Sequence, residues 1–356
     1  MKVLILPNNI ASMPSITADR LNRKGINVKA LFLDTNPNQQ QFSGKGFPLK
    51  GLRFGFLHKV FNFSRFYIHA IRGIFWADVI HYCGSFSMPL NNLLFPFIRL
   101  FNKPALVEWV GSDIRIPEVE FLENKYYKEA FYSGYEYPYE SVIQSRKIQQ
   151  MFKNAGFVPL VFPGMEQYIL SDIFPTYYKF IQRIDLNNYV PNPPELNKSK
   201  PLIVHAPTAP IAKGTNYIEA ALEELSNTYD FDYVRAFKLS RQEVLDLIGK
   251  CDVFIDQIVL GSYGMASMEA FAFAKPVVCY MKPSVLSCFP GTSPIINANP
   301  DTIKSVIEDL LKSGVRRHEA GMVSRKYAET YHDIDSCIDE LIDIYSDSIK
   351  IKKNPK

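Results

Sequence analysis

The chain has 356 residues; 47% are apolar or aromatic, 21% are charged, and the formal net charge is +4. That content excludes a disordered chain and suits two cores better than one very large one. The small net charge is no argument for nucleic-acid binding, and no zinc-finger or similar motif adds one. No stretch reaches the roughly 20 apolar residues that span a bilayer. The apolar run at residues 1–9 is too short for a signal peptide. Five cysteines, at 83, 251, 279, 288 and 337, make neither a CxxC pair nor a disulfide framework, so the expected compartment is a reducing cytoplasm.

In chain order, Val3-Leu4-Ile5-Leu6 reads as a buried strand. A helix over 15–24 ends at Gly25, and 28–33 forms the next strand. This opening predicts a parallel α/β domain. Later strands are expected at 78–82, 105–109, 142–145 and 160–162, with a helix over 146–154 stopped by Ala155-Gly156. The Asn- and Pro-rich stretch 187–200 reads as a linker. A second α/β domain follows, with strands at 201–205, 233–237, 253–255 and 277–280. Its helices are expected over 216–225, 240–248, 269–274 and 302–311. Ser240 and Glu243 form a capping-box pair. A last helix over 323–345 breaks near 331–333, and the tail 349–356 is expected to fray. The predicted domains are 1–190, a linker at 191–200, 201–330, and a helical segment at 331–356 that packs back on the first domain.

Between Thr35 and Val107 the one acid is Asp78, set against eight bases. Lys50, Arg53, Lys59, Arg65 and Arg72 interleave there with Phe54, Phe56, Phe61 and Phe75. Basic and aromatic side chains together suit the interface of an anionic membrane; a buried helix face or an anionic acceptor groove are the alternatives.

The sharpest chemical signal is the run Gly261-Ser262-Tyr263-Gly264-Met265-Ala266-Ser267-Met268-Glu269. A glycine loop opening a helix can approach a phosphate or sugar, and a helix-borne acid can sit beside a ribose. Upstream, Lys213-Gly214-Thr215 joins a strand to a helix, where Lys213 can place a cation over a diphosphate and local amides can face the same anion. An ordinary solvent-facing lysine and a helix acid on the dipole are the bland readings. Asp256-Gln257 ends a buried strand on the same side and reads equally as a site contact or a structural hydrogen bond. Neither His81 with His205 nor the serines compose a zinc site or a serine–histidine–acid set, and no metal ligand is assigned.

These motifs resemble the retaining GT-B glycosyltransferases, in particular the family 4 (group 1) enzymes of bacterial cell-envelope glycan synthesis. The resemblance is clearest from Leu202 to Tyr280. It implies an α/β GT-B fold: two Rossmann-like domains whose parallel sheets face a central cleft. It implies that Lys213, with Gly214, binds the donor diphosphate, that Tyr263 and Gly264 meet phosphate and sugar, and that Glu269 binds the donor ribose. The donor is then a UDP- or GDP-sugar and the acceptor a glycan or lipid-linked sugar, with no metal or separate cofactor. The family's first glutamate is Gly261 here, its arginine is Thr208, and its histidine in the loop 108–115 is Val110. In that loop Asp113 is the candidate to hold an acceptor hydroxyl or assist proton movement. The segment 118–140 reads as an acceptor lid or an ordinary packed surface. The three replacements keep open an inactive GT-B partner of glycan synthesis; a nucleotide-sugar epimerase is the other alternative.

Overall fold

A computed structural model describes residues 1–33, 44–47, 56–84 and 90–353. Lys50, Arg53 and Phe54 of the basic-aromatic stretch lie outside them. The first part of the chain forms β1 (Lys2–Pro7), α1 (Met13–Arg23), β2 (Asn27–Phe32), β3 (Lys45–Gly46), α2 (Phe56–Trp76), β4 (Val79–Cys83), α3 (Leu90–Leu100) and β5 (Ala105–Glu108). Then come α4 (Pro117–Glu120), α5 (Lys125–Tyr132), α6 (Val142–Asn154), β6 (Phe157–Val161) and β7 (Tyr178–Lys179). The second part forms β8 (Leu202–His205), α7 (Pro210–Lys213), α8 (Thr215–Ser226), β9 (Asp232–Arg235), α9 (Arg241–Lys250), β10 (Val253–Ile255), α10 (Met265–Ala272) and β11 (Val277–Cys279). It closes with α11 (Pro283–Leu286), β12 (Ile296–Asn297), α12 (Ile303–Lys312), α13 (Gly314–Tyr327) and α14 (Ile334–Lys353).

Two compact units result. The first comprises Met1–Ile116, Glu140–Arg183 and Cys337–Lys356; the second comprises Pro117–Tyr139 and Ile184–Ser336. This differs from the continuous division at 190/201 in one important respect: residues 117–139 leave the first unit and pack with the second. The reason is visible in the side chains. Tyr126, Tyr127 and Tyr135 are buried in the second unit's core beside Ala209, Ile258 and Tyr280.

The first unit's sheet has the order β3-β2-β1-β4-β5-β6-β7, and every pairing is parallel. The second has the order β12-β11-β10-β8-β9, again all parallel. Helices cover both faces, so the central strands are apolar along their length: Val3 to Leu6 in the first sheet and Val253 to Ile255 in the second are fully buried. In both sheets the strand order reverses beside the first strand, between β1 and β4 and between β8 and β10. Loops leaving the carboxyl ends at such a point diverge and leave room for a ligand.

Two expectations fail locally. Residues 142–145 are the first turn of α6, not a strand. The Ser141 side chain accepts from Gln144 N, and this cap prevails over the β-branched Val142 and Ile143. The tail also holds its helix through Lys353. No helix among the described residues is long and apolar enough to cross a membrane.

Candidate functional site

Of the second unit's loops, the two at the reversal point carry the site. After β8 the chain turns through 206–209 into the single turn of α7, whose last residue is Lys213. Gly214 then takes φ 78°, and a Cβ there would lie 2.7 Å from Ile258 and 2.9 Å from Val259, so only glycine lets the two loops approach this closely. After β10 the chain gives Asp256, crosses 257–263 and enters α10 at Gly264.

Asp256 joins these loops. Its Oδ1 accepts from Lys213 Nζ at 2.6 Å, and its Oδ2 accepts from Gly264 N at 3.2 Å and Ser267 Oγ at 2.6 Å. Lys213 also reaches the Ala206 carbonyl at 3.3 Å. Burial pushes the Asp256 carboxyl up, but the Lys213 ammonium and the three hydrogen bonds outweigh it and hold the group below its usual range. A carboxylate therefore occupies the position between a lysine and a helix-opening amide where an anion is best stabilised.

Glu269 lies on α10 just beyond that point. Its Oε1 accepts from Arg241 Nη2 at 2.7 Å, and from the Tyr189 hydroxyl at a long 3.5 Å. Burial raises its carboxyl against the pull of the Arg241 guanidinium. Arg241 opens α9 and was not singled out in the sequence, because an arginine beside a capping serine looks like a surface residue. Its position at the start of the helix that follows the loop leaving the carboxyl end of β9 was the available signal.

The remaining expected residues sit as follows. Tyr263 turns its ring into the core, 4.6 Å from the Phe289 ring centre, with its hydroxyl 2.8 Å from His332 Nε2. Thus the Gly264 peptide, not the Tyr263 side chain, meets Asp256. Gly261 has φ 79°, and a Cβ there would lie 2.4 Å from Lys282 Cγ. Lys282 pairs with Glu120 at 2.8 Å, both side chains buried. The place where the family's first glutamate was sought is thus filled by a lysine stem. Asp113 belongs to the first unit. It is buried, and its Oδ2 accepts from Val110 N at 2.9 Å, closing its own loop; it is not in the same unit as Lys213, Gly264 and Glu269.

His81 is also in the first unit, in a buried polar network. Its Nε2 meets Glu108 Oε2 at 3.1 Å and its Nδ1 meets the Tyr345 hydroxyl at 2.7 Å. Arg183 donates to both Glu108 oxygens, at 2.5 and 3.0 Å. His81, Cys83 and Glu108 are close enough to be considered as metal ligands. The donor set does not fit one: the guanidinium already takes both carboxylate oxygens and would repel a cation, and burial pushes the Cys83 thiol well up.

No family model matches the chain, and no curated protein matches it. Solved structures do. Sucrose-phosphate synthase from Thermosynechococcus elongatus is similar with a TM-score of 0.61 at 11% identity, over 97% of this chain and 98% of that one. Anabaena HepE in complex with UDP and glucose gives 0.60 at 12% identity, over 98% and 100%. WaaG, a glycosyltransferase involved in lipopolysaccharide biosynthesis, gives 0.56 at 12% identity, over 97% and 100%. At such identities the likeness is one of fold: two Rossmann-like domains in the GT-B arrangement of elements.

Proposed function

We propose that this protein is a glycosyltransferase that moves a sugar from a nucleotide-sugar donor to an acceptor hydroxyl and releases the nucleoside diphosphate. The observation that carries the reading is the Asp256 bridge between Lys213 and the Gly264 amide, in the two loops at the second sheet's reversal point. A donor diphosphate takes up the contacts of that carboxylate. The Gly214 amide donates back to the Ile211 carbonyl at 3.0 Å and is not offered to an anion. As negative charge develops on the leaving group, the Lys213 ammonium and the Gly264 amide stabilise it more strongly than in the ground state. Glu269 accepts from the ribose hydroxyls once Arg241 shifts toward the phosphates. The donor carries UDP or GDP, the anomeric configuration is retained, and no metal takes part. Residues 201–330 supply the donor side, and the first unit's Asp113 orients the attacking hydroxyl.

The acceptor is a growing cell-envelope glycan or a lipid-linked sugar, met at the cytoplasmic face of a membrane. Leu57, Phe61, Ile68 and Phe75 lie along one exposed stripe of α2, with exposed Arg65 and Arg72 along its edge. That pairing of apolar and basic side chains fits anionic lipid headgroups. One observation favours a second reading: with Gly261 backed by the Lys282 stem, no acid stands at the family's first glutamate. A GT-B partner that binds a nucleotide sugar without transferring it has that feature.

The test of retention is nuclear magnetic resonance of the product formed from a UDP- or GDP-sugar and a membrane glycolipid extract. A product with the donor's anomeric configuration supports the reading; an inverted product contradicts it.

A further inference from the structure

We propose that the tyrosine-rich strap at residues 117–139 is a binding surface for a neutral oligosaccharide chain. This rests on the sugar-transfer reading and narrows the acceptor to a chain of several uncharged sugars.

The strap is fastened to the second unit at three places. Glu120 pairs with Lys282, Asn124 Nδ2 donates to the Val259 carbonyl at 2.7 Å, and the Glu136 carboxylate accepts from Ile211 N and Ala212 N at 2.7 and 2.9 Å. Its two ends are therefore tied to the site itself. Glu136 holds α7, which ends at Lys213, and Glu120 holds the lysine whose stem packs on Gly261.

Three tyrosines anchor the strap inward, yet other rings of the same segment stay outside. Tyr132 is 72% exposed and Tyr139 is 43% exposed. They close the two ends of a row of touching rings. Tyr132 contacts Phe121 at 5.8 Å between centres and Phe131 at 5.5 Å; Phe131 contacts Tyr135 at 6.0 Å. Tyr135 contacts Tyr137 at 5.3 Å, and Tyr137 contacts Tyr139 at 6.2 Å. Each ring is braced by its neighbours, so little rotamer freedom remains to be lost on binding. The middle of the row, Tyr135, is buried, with Phe121, Phe131 and Tyr137 half-buried beside it, so the exposed faces are those of Tyr132 and Tyr139, held on a rigid aromatic base. Exposed aromatic faces of this kind mark an interaction surface.

Charge selects the occupant. The strap has five glutamates against two lysines. Glu118, Glu123 and Glu129 are exposed against Lys128, which lies 5.9 Å from the Phe121 ring centre, while Lys125 is paired with Asp301 at 2.7 Å. Such a surface repels phosphate-bearing lipid and nucleic acid, the reverse of the α2 stripe. A neutral pyranose chain fits it: the C–H faces of the rings lie on electron-rich aromatic faces, and the hydroxyls donate to the carboxylates and tyrosine oxygens.

The test titrates full-length protein with neutral hexasaccharides of gluco, galacto and manno configuration, followed by saturation-transfer resonance and tyrosine fluorescence, with UDP and GDP titrated in parallel. The variant Tyr132→Ala/Tyr139→Ala removes the two most exposed rings and leaves the anchors, so its melting midpoint stays at the wild-type value. At least one hexasaccharide is expected to bind the wild type, and to bind the variant about tenfold or more weakly, with nucleotide affinity unchanged. The proposal is overturned if no hexasaccharide binds the wild type, or if the variant binds as well as the wild type. Hexasaccharide binding that the variant loses, in a protein that binds neither UDP nor GDP, upholds the strap and overturns the transfer reading.

Discussion

The pair of Lys213 and Asp256 allows the structural and binding roles of one lysine to be separated. Lys213 is 12% exposed, Asp256 is fully buried, and their 2.6 Å contact is reinforced on the acid by Gly264 N and Ser267 Oγ. Lys213→Met leaves a buried carboxylate without its cation. Breaking such a pair costs about 3–5 kcal/mol, and the two remaining hydrogen bonds bring the expected loss to about 2–4 kcal/mol. Asp256→Asn leaves an ammonium that can still reach water, so its loss is expected at about 1–3 kcal/mol. The double variant removes both charges, and most of the stability is expected to return, with a coupling of about 2 kcal/mol. Nucleoside-diphosphate binding follows another pattern. One charge-assisted contact is worth about 1.5–3 kcal/mol, or roughly 10- to 100-fold in affinity, and it stays lost in the double variant because the cation is gone. Urea denaturation reads the first quantity and isothermal titration with UDP and GDP the second. A double variant that binds UDP or GDP as well as the wild type refutes the role given to Lys213.

Three further outcomes follow from the same geometry. Gly261→Glu, which puts back the family's acid, is expected to lose roughly 2–5 kcal/mol of stability and to gain no activity, because it strains a positive φ and displaces Lys282 from Glu120; denaturation with a turnover assay checks it. The two units have different acid limits. His205 is fully buried, with Nδ1 donating to Ile255 O, and burial pulls it down to about 4. The unfolded chain takes up that proton first, so up to about 3 kcal/mol of stability, fully present above pH 6.5, is lost as pH falls from 6.5 through 4. In the first unit burial raises the Glu108 carboxyl, but Arg183 and His81 outweigh it and hold it far below its usual range, so that contribution declines only as pH falls below about 4.5. Urea titrations across pH 3–8 should show His205→Asn flattening the upper window and not the lower. Finally, Arg65→Gln/Arg72→Gln is expected to weaken binding to anionic vesicles by roughly 30-fold, at about 1 kcal/mol per charge, measured by flotation at low salt; unchanged binding removes the electrostatic mode.

The sequence made the two Rossmann-like domains legible because buried parallel strands are written as short continuous apolar runs, such as Val253-Phe254-Ile255, separated by helix-length intervals. The placement of Lys213, Gly214, Gly264 and Glu269 in or just after the loops leaving β8 and β10 was legible because it is local: glycine, lysine and a helix acid stand a short way in sequence from strand ends. What escaped was not local. Glu136 and Asn124 reach the second unit from over 70 residues away in sequence, so the strap's true neighbours left no pattern to read. Tyr263 carries a side chain whose direction depends on His332, again a distant partner. At 142–145 the composition favoured a strand, and the Ser141 cap decided for the helix.

Transfer of sugar from a nucleotide donor can be read directly. Purified protein incubated with a panel of UDP- and GDP-sugars, with and without membrane glycolipid extract, and followed by mass spectrometry, tests it most directly. Acceptor-dependent release of nucleoside diphosphate, with a product heavier by one sugar, is the predicted result. Absence of binding and turnover across the whole panel contradicts the claim and the roles given to Lys213 and Glu269.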